Sequence, residues 1–227
     1  MPFLDRRLLI LIVLLAISVA LAILFIDQPV VDAMRGIGPG WRNGAEWVTV
    51  FGKSTGYLIG LGATVVILTA VGRFASSPDQ RKHAQRWAWV SFYLFLAVAL
   101  PGLLNDLIKL LVGRPRPMVD ATALAPFTFG YDFQSFPSGH ASVAFGLAFA
   151  VAMLWPRLRW PMLAFAAAVA ASRVILNVHH LGDVLASAIV ALVTVRALTI
   201  VFARRGRVFS IDVAGRPIAF TRRITPA

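Results

Sequence analysis

Between Ser172 and Asp183 the chain reads Ser-Arg-Val-Ile-Leu-Asn-Val-His-His-Leu-Gly-Asp, which sets an arginine, two histidines and an aspartate where one very apolar segment ends and another begins. Ionisable groups at membrane depth are costly and mark functional sites. If the second segment is helical from about Gly182, His179 and Asp183 stand four residues apart on one face. The carboxylate then accepts from one imidazole nitrogen and leaves the other free to attack, which is the construction of a nucleophilic histidine. Two earlier stretches bear on the same chemistry: Lys109-Leu-Leu-Val-Gly-Arg-Pro-Arg116-Pro117 and Pro137-Ser-Gly-His140. Ser138 is expected as the N-cap of a helix, and Gly139 admits a ligand close to the backbone, so the first amides and the positive end of the helix dipole face an anion. Lys109, Arg116 and Arg173 add three positive charges. Together they suit a phosphoryl group, whose transition state spreads charge over three equatorial oxygens. The residues alone describe a phosphate-handling membrane site with two histidines.

Six residues separate Lys109 from Arg116-Pro117; Pro137-Ser138-Gly139-His140 follows; then comes Ser172-Arg173, with five residues before His179 and three more before Asp183. In residue type, spacing and order these blocks resemble the type 2 phosphatidic acid phosphatases, integral-membrane lipid phosphatases that share a core with vanadium haloperoxidases. The resemblance spans Lys109 to Asp183, about a third of the chain. It implies that His179 attacks phosphorus and forms a phosphohistidine, that Asp183 fixes its tautomer, and that His140 protonates the leaving oxygen and then activates water. It also implies that Lys109, Arg116, Ser138, Gly139 and Arg173 hold the phosphate. Only His179 keeps the spacing, so His180 is expected to be structural. No carboxylate cluster or metal-ligand spacing accompanies the site, so no cofactor and no divalent cation is expected. The implied substrate is a membrane lipid phosphate or diphosphate: phosphatidate, phosphatidylglycerol phosphate, undecaprenyl diphosphate or a lipid A-type phosphate. The alternatives are a phosphotransferase using the same phosphoenzyme and a non-catalytic protein that binds or transports a lipid headgroup. A haloperoxidase would use the same residues with vanadate, but those enzymes are soluble.

The elements that must position these residues are apolar. The 227 residues are 59% hydrophobic and only 14% charged, with a mean hydropathy of +0.78, beyond what a soluble domain of this size tolerates. Cysteine is absent, which excludes disulfides, thiolate metal sites and a thiol nucleophile. Six apolar stretches stand out: Leu8 to Ile26, Tyr57 to Val71, Trp87 to Leu107, Ala141 to Trp155, Met162 to Val178 and Val184 to Ala203. The predicted fold is therefore all-α: a polytopic membrane helical bundle with six transmembrane helices and both termini cytoplasmic. Residues 1–203 form the membrane domain, with 27–56 as an interfacial segment and 113–137 as an outer loop, and 204–227 form a basic cytoplasmic tail.

A net charge of +12 would suggest nucleic acid in a soluble protein, but here it sorts by side. With the termini inside, fifteen of the twenty-two basic residues lie on the inner side, while the outer side carries seven basic and seven acidic residues. The positive-inside rule orients the chain as a multi-pass protein of the bacterial inner membrane, and all three blocks then fall at outer ends of spans, facing the periplasm or exterior. No nucleic-acid partner is needed.

Arg6 and Arg7 before Leu8 to Ile26 resemble a secretory signal, but cleavage would break the even span count, so an uncleaved first span is expected. Trp41 and Trp47 suit an interfacial segment roofing the site. Gly52-Lys53-Ser54 lacks the upstream glycines of a P-loop, and Lys53 is read as an interfacial lysine. Arg73 to Arg86 is expected as a polar inner loop. Asp106 and Lys109, three apart, are able to pair. Arg114 lies outside the matching pattern and is assigned to a headgroup or the surface. The aromatics Phe127, Phe129, Tyr131, Phe133 and Phe136 form an interfacial belt, and Val208 to Phe220 alternates weakly as a small hairpin.

Overall fold

The computed structural model describes residues 6–119, 121–212, 215 and 217–220, apart from the side chain of Arg7. The expected inner placement of Arg7, Arg216, Arg222 and Arg223, and the outer placement of Asp120, therefore lie outside the described residues.

Helix α1 (Arg6–Leu21) passes through one wide π-turn, Ala22–Ile26, into α2 (Asp27–Arg35). Helix α3 (Pro39–Thr49) continues through a 3-10 turn, Val50–Gly52, into α4 (Ser54–Phe74). Then come α5 (Pro78–Val112), α6 (Gly139–Leu154), α7 (Arg159–Ile175) and α8 (Leu181–Arg204). Among the described residues five helical runs are long and apolar enough to cross a membrane: Leu8–Arg35, Pro39–Phe74, Pro78–Val112, Pro156–Ile175 and Leu181–Arg204. The expected fourth span, α6, is apolar but has only 16 residues. That is about 24 Å of helix, short of a hydrocarbon core of about 30 Å. The chain is a polytopic helical membrane protein.

Two expected segments fold differently. Residues 27–56 are mostly helical and continue their neighbours, because Pro39 opens α3 at its first turn and the polar residues ride on exposed helix faces; Trp41 and Trp47 are 69% and 79% exposed. The polar loop Arg73 to Arg86 shrinks to Ala75–Ser77, since the Ser77 hydroxyl accepts from the Asp79 amide and Pro78 starts α5. Arg81, Lys82 and Arg86 are thus helical.

Close packing holds the central helices in register. In α5, Pro101 cannot donate to the carbonyl of Ala97, and that carbonyl faces Gly146 of α6; a Cβ on Gly146 would lie 2.3 Å from it. Only glycine fits that crossing. Ala144 and Ala148 of α6 meet Ala166 and Val169 of α7, the small-residue contact that lets helices approach in lipid. Tyr93 of α5, fully buried, hydrogen-bonds Thr199 of α8 at 2.8 Å and meets Phe202 and Phe209 edge to face.

Beyond α8 the expected hairpin forms: β1 (Phe209–Ile211) pairs antiparallel with β2 (Pro217–Ala219), Phe209 opposite Ala219. Val208, Phe209 and Ala219 are buried in the cluster that holds Tyr93 and Leu198. The boundary drawn at 203 does not divide the packing. Val208, Phe209 and Ala219 thus cover the end of α5 and α8 away from Lys109.

Candidate active site

The C-terminal end of α5 brings Asn105, Asp106 and Lys109 to the site and stops at Gly113, whose φ of 58° is left-handed and whose N–H donates to the Lys109 carbonyl at 2.8 Å. The following stretch is tied to the outer loop: Arg116 N–H donates to the Asp132 carbonyl at 2.8 Å and Ser135 N–H to the Arg114 carbonyl at 3.1 Å. Helix α7 ends in a tight turn through Asn177, at φ 55°, with the amides of Val178 and His179 folding back onto the Arg173 carbonyl. Helix α8 opens with a reciprocal cap between His180 and Asp183.

His179 is 3% exposed. Its Nδ1 donates to the Ser135 carbonyl at 2.8 Å, while Asp183 Oδ2 lies 3.6 Å away. This corrects the expectation that Asp183 accepts directly from His179 across one helix face. The helix begins only at Leu181, His179 precedes it, and a backbone carbonyl holds the tautomer while Asp183 acts on the ring through its charge. Nε2 faces Nη1 of Arg116 at 3.4 Å. Burial pulls the His179 pKa down to about 4, Arg116 and Arg173 act in the same direction, and Asp183 opposes them. At neutral pH the ring is neutral with Nε2 unprotonated.

Arg116 donates to the carbonyls of Tyr131 at 2.9 Å, Val178 at 2.8 Å and Gln134 at 3.3 Å, and its guanidinium stacks 3.7 Å from the Tyr131 ring centroid. Burial lowers its pKa, but a guanidinium remains charged in proteins. A cation held by neutral groups keeps its charge for the site.

Asp183, fully buried, accepts from Arg114 at 2.6 Å, from the Ser135 hydroxyl at 2.6 Å and from the His180 amide at 2.8 Å. The other amino group of Arg114 reaches Asp27 at 2.8 Å, and Asp27 also accepts from the Gly182 amide at 2.8 Å. Arg114 is therefore not a surface or headgroup residue. Two buried carboxylates draw it inward, and it ties the end of the first helical run to the start of α8. Sequence reasoning missed Arg114, Asp27 and Ser135. The signal for Asp27 was present: an acid closing an apolar run, the same feature that singled out Asp183. His180 caps α8, its amide and Nδ1 facing Asp183 Oδ2 at 2.8 and 3.3 Å.

Arg173 donates to the Thr49 hydroxyl at 2.6 Å, and its Nε is buried without a partner. No carboxylate among the described residues pairs with it. Lys109 pairs with the exposed Asp106 at 3.2 Å, and a Cβ on Gly139 would lie 3.4 Å from its ammonium. His140 stands within electrostatic reach of Arg173, His179, Lys53 and Lys109. Gly52, also missed, packs on it so closely that a Cβ there would lie 2.7 Å from His140 Cβ. Ser138 sits at the N-cap, but its hydroxyl caps nothing: it is buried and unbonded. The backbone is pinned instead, with Asn105 and Ser187 donating to the Ser138 carbonyl and Ser138 N–H to the Asp183 carbonyl. A cavity of about 470 Å³ opens beside His140 and Gly139, lined by Lys53, Leu58, Leu103 and Val143. Among the described residues no group of three or more histidine, aspartate or glutamate side chains is placed to hold a metal ion.

Residues 90–207, which include all three blocks, match the PAP2 superfamily. The lipid A 1-phosphatase of Rhizobium johnstonii is 31% identical over 210 residues, 89% of this chain and 84% of that protein. The chain belongs to the PAP2 superfamily. The undecaprenyl-diphosphatase BcrC of Bacillus subtilis is 32% identical over 133 residues, 58% of this chain and 63% of that protein. The crystal structure of a transmembrane PAP2-type phosphatidylglycerolphosphate phosphatase from Bacillus subtilis shares the fold, with a TM-score of 0.59 and 24% identity over 88% of this chain and 95% of that one. Family membership makes the chain a phosphatase.

Proposed function

We propose that this chain hydrolyses a phosphate ester or anhydride of a membrane lipid through a phosphohistidine on His179, at a site facing away from the cytoplasm. The observation that carries the proposal is His179 itself: a buried neutral ring whose Nδ1 is held by a carbonyl and whose unprotonated Nε2 faces Arg116. Arg116, Arg173 and Lys109 would take the phosphoryl oxygens, with the amides at Gly139. Arg173, without a carboxylate partner among the described residues, suits an anionic ligand. The unbonded Ser138 hydroxyl is a further donor. Asp183 would stabilise the positive charge that grows on His179 during attack, and His140 would protonate the leaving oxygen and then draw a proton from water. The 470 Å³ cavity, polar at His140 and apolar at Leu58, Leu103 and Val143, would seat the lipid portion next to the leaving group.

In this reading α6 completes a set of six spans and both termini are cytoplasmic. The near full-length likeness to a lipid A 1-phosphatase supports a lipid A-type phosphate ahead of undecaprenyl diphosphate, whose phosphatase matches over a shorter stretch. The test is phosphate release by purified protein in chelator across a panel of lipid phosphates and diphosphates. Turnover of lipid A-type phosphate, reduced at least about 10³-fold in His179→Ala, is expected. No phosphate release from any member of the panel would refute it.

A further inference from the structure

Two further cavities lie at the other end of α5 from His140 and His179. Helix α5 carries both regions: Lys109 near its C-terminal end and Arg81 near its start, 28 residues apart, or about 42 Å along the axis. That is a whole bilayer with its headgroups, about 40–45 Å. A cavity of about 760 Å³ opens there between α4 and α5, lined by Arg73, Arg81, Gln85, Trp89, Phe92 and Arg207. Val65 and Ala88 continue its apolar wall towards the middle of the helices. Gln85, Trp89 and Arg207 separate it from a second cavity of about 370 Å³, bordered by Lys82, Arg86 and Phe220.

Five cations thus surround one paired space. Among the described residues none of them has a carboxylate partner. Arg81 donates to the Ala75 carbonyl, Arg207 stacks on Trp89 at 4.7 Å and Arg86 lies over Phe220 at 5.8 Å. One amino group of Arg86 is buried with no hydrogen-bond partner at all. Aromatic rings hold Arg86 and Arg207 and a backbone carbonyl holds Arg81, so these charges are fixed in position with no carboxylate among the described residues to neutralise them. A buried, unbonded guanidinium nitrogen is costly unless an acceptor meets it.

We propose that this paired cavity binds one anionic phospholipid of the bilayer, its phosphodiester headgroup among Arg73, Arg81, Arg86 and Arg207 and an acyl chain along Val65, Ala88 and Phe92. The site is separate from the catalytic one and lies at the opposite membrane interface. The shape decides for a lipid over a free anion: a small anion would use the arginines and leave the apolar wall between α4 and α5 bare. Basic pockets between spans on the cytoplasmic side are where acidic headgroups bind.

The test is native mass spectrometry of the full chain in detergent, titrated with phosphatidylglycerol or phosphatidylcholine. Wild type is expected to retain one phosphatidylglycerol and to bind phosphatidylcholine at least about 10-fold more weakly. Equal retention of the two lipids would overturn the proposal without any variant being made. The R73Q/R81Q/R207Q triple variant is expected to lose phosphatidylglycerol retention by roughly 10-fold or more, and the single Arg207→Gln by a smaller factor in the same direction. Arg157→Gln, on the turn between α6 and α7 away from the cavity, is expected to retain it. Turnover of a short-chain lipid phosphate, a reaction at the far end of α5, serves as the folding control. Retention unchanged in Arg207→Gln and in a folded triple variant would refute the site. Displacement of the lipid by glycerol phosphate at equal concentration would reduce it to an anion site and refute the lipid assignment.

Discussion

A histidine that attacks phosphorus needs one ring nitrogen held as a donor and the other unprotonated, and His179 has different partners on its two sides. Ser135 accepts from Nδ1, and Arg116 faces Nε2. Because burial and two guanidinium groups lower its pKa to about 4, no proton has to leave before attack at neutral pH. In the proposed mechanism His140 is the acid and must be protonated, so its titration shapes the alkaline side of kcat/KM and the acid limb reports His179 alone once substrate ionisation is divided out. That acid limb is expected to have its midpoint near pH 4; an acid-side midpoint near pH 6.5 would contradict the burial argument. Stability moves with the same sign. The unfolded ring takes up a proton near pH 6.5 that the folded ring refuses until about pH 4, so stability declines as pH falls between them.

Arg114 offers a second test at this scale. It stands between two buried carboxylates, Asp27 and Asp183, at 2.8 and 2.6 Å. Removing one partner of a buried pair leaves uncompensated charge, at a cost of about 3–5 kcal/mol. Arg114→Ala is therefore expected to lower the melting temperature sharply in detergent. Arg114→Lys recovers only part of the loss, since an ammonium lacks the planar fork that serves both acids. A melting temperature equal to wild type would show the network to be dispensable.

At the scale of elements, the positions of His140 and His179 depend on how helix ends are stacked. The 3-10 turn Val50–Gly52 presses on the first turn of α6, and at Gly52 there is no room for a methyl group against His140. Gly52→Ala is expected to displace His140 and reduce kcat by about 10- to 100-fold with a smaller change in KM, because misplacement near 1 Å carries that penalty. A kinetically wild-type Gly52→Ala would mean that His140 tolerates the shift.

This contact was not legible in the sequence. Gly52-Lys53-Ser54 drew notice as a failed P-loop, and nothing local tells that Gly52 meets a residue 88 positions later. The same limit explains the error at His179 and Asp183. Spacing of four suggests a shared helix face, but the backbone carbonyl of Ser135 that accepts from Nδ1 comes from a distant loop. Helix starts were more legible where a side-chain signal exists. Ser77-Pro78-Asp79 opens α5 inside a segment whose polarity suggests a loop, and Asn177 and Gly113 end α7 and α5 through left-handed backbone.

For the whole molecule, hydropathy and charge bias revealed a polytopic helical protein because both are sums over many residues and survive local errors. The three blocks were legible because each carries charge into an apolar setting. Arg114 and Asp27 were hidden because their partners come from opposite ends of the chain, and the hairpin's burial because weak alternation says nothing of what covers it. The proposed orientation is open to labelling, since the chain has no native cysteine to interfere. Asp132→Cys, beside the site, and Ser76→Cys, in the turn between α4 and α5, are expected to react from opposite sides of intact inverted and right-side-out vesicles. Labelling of both from one side would overturn the span arrangement.

The most direct measurement is the covalent intermediate. Rapidly quenched protein given a lipid phosphate labelled at phosphorus, in chelator, is expected to carry an acid-labile, alkali-stable phosphoryl group on a peptide containing His179, absent in His179→Ala. Full turnover by His179→Ala, or label on any other side chain, would contradict the account.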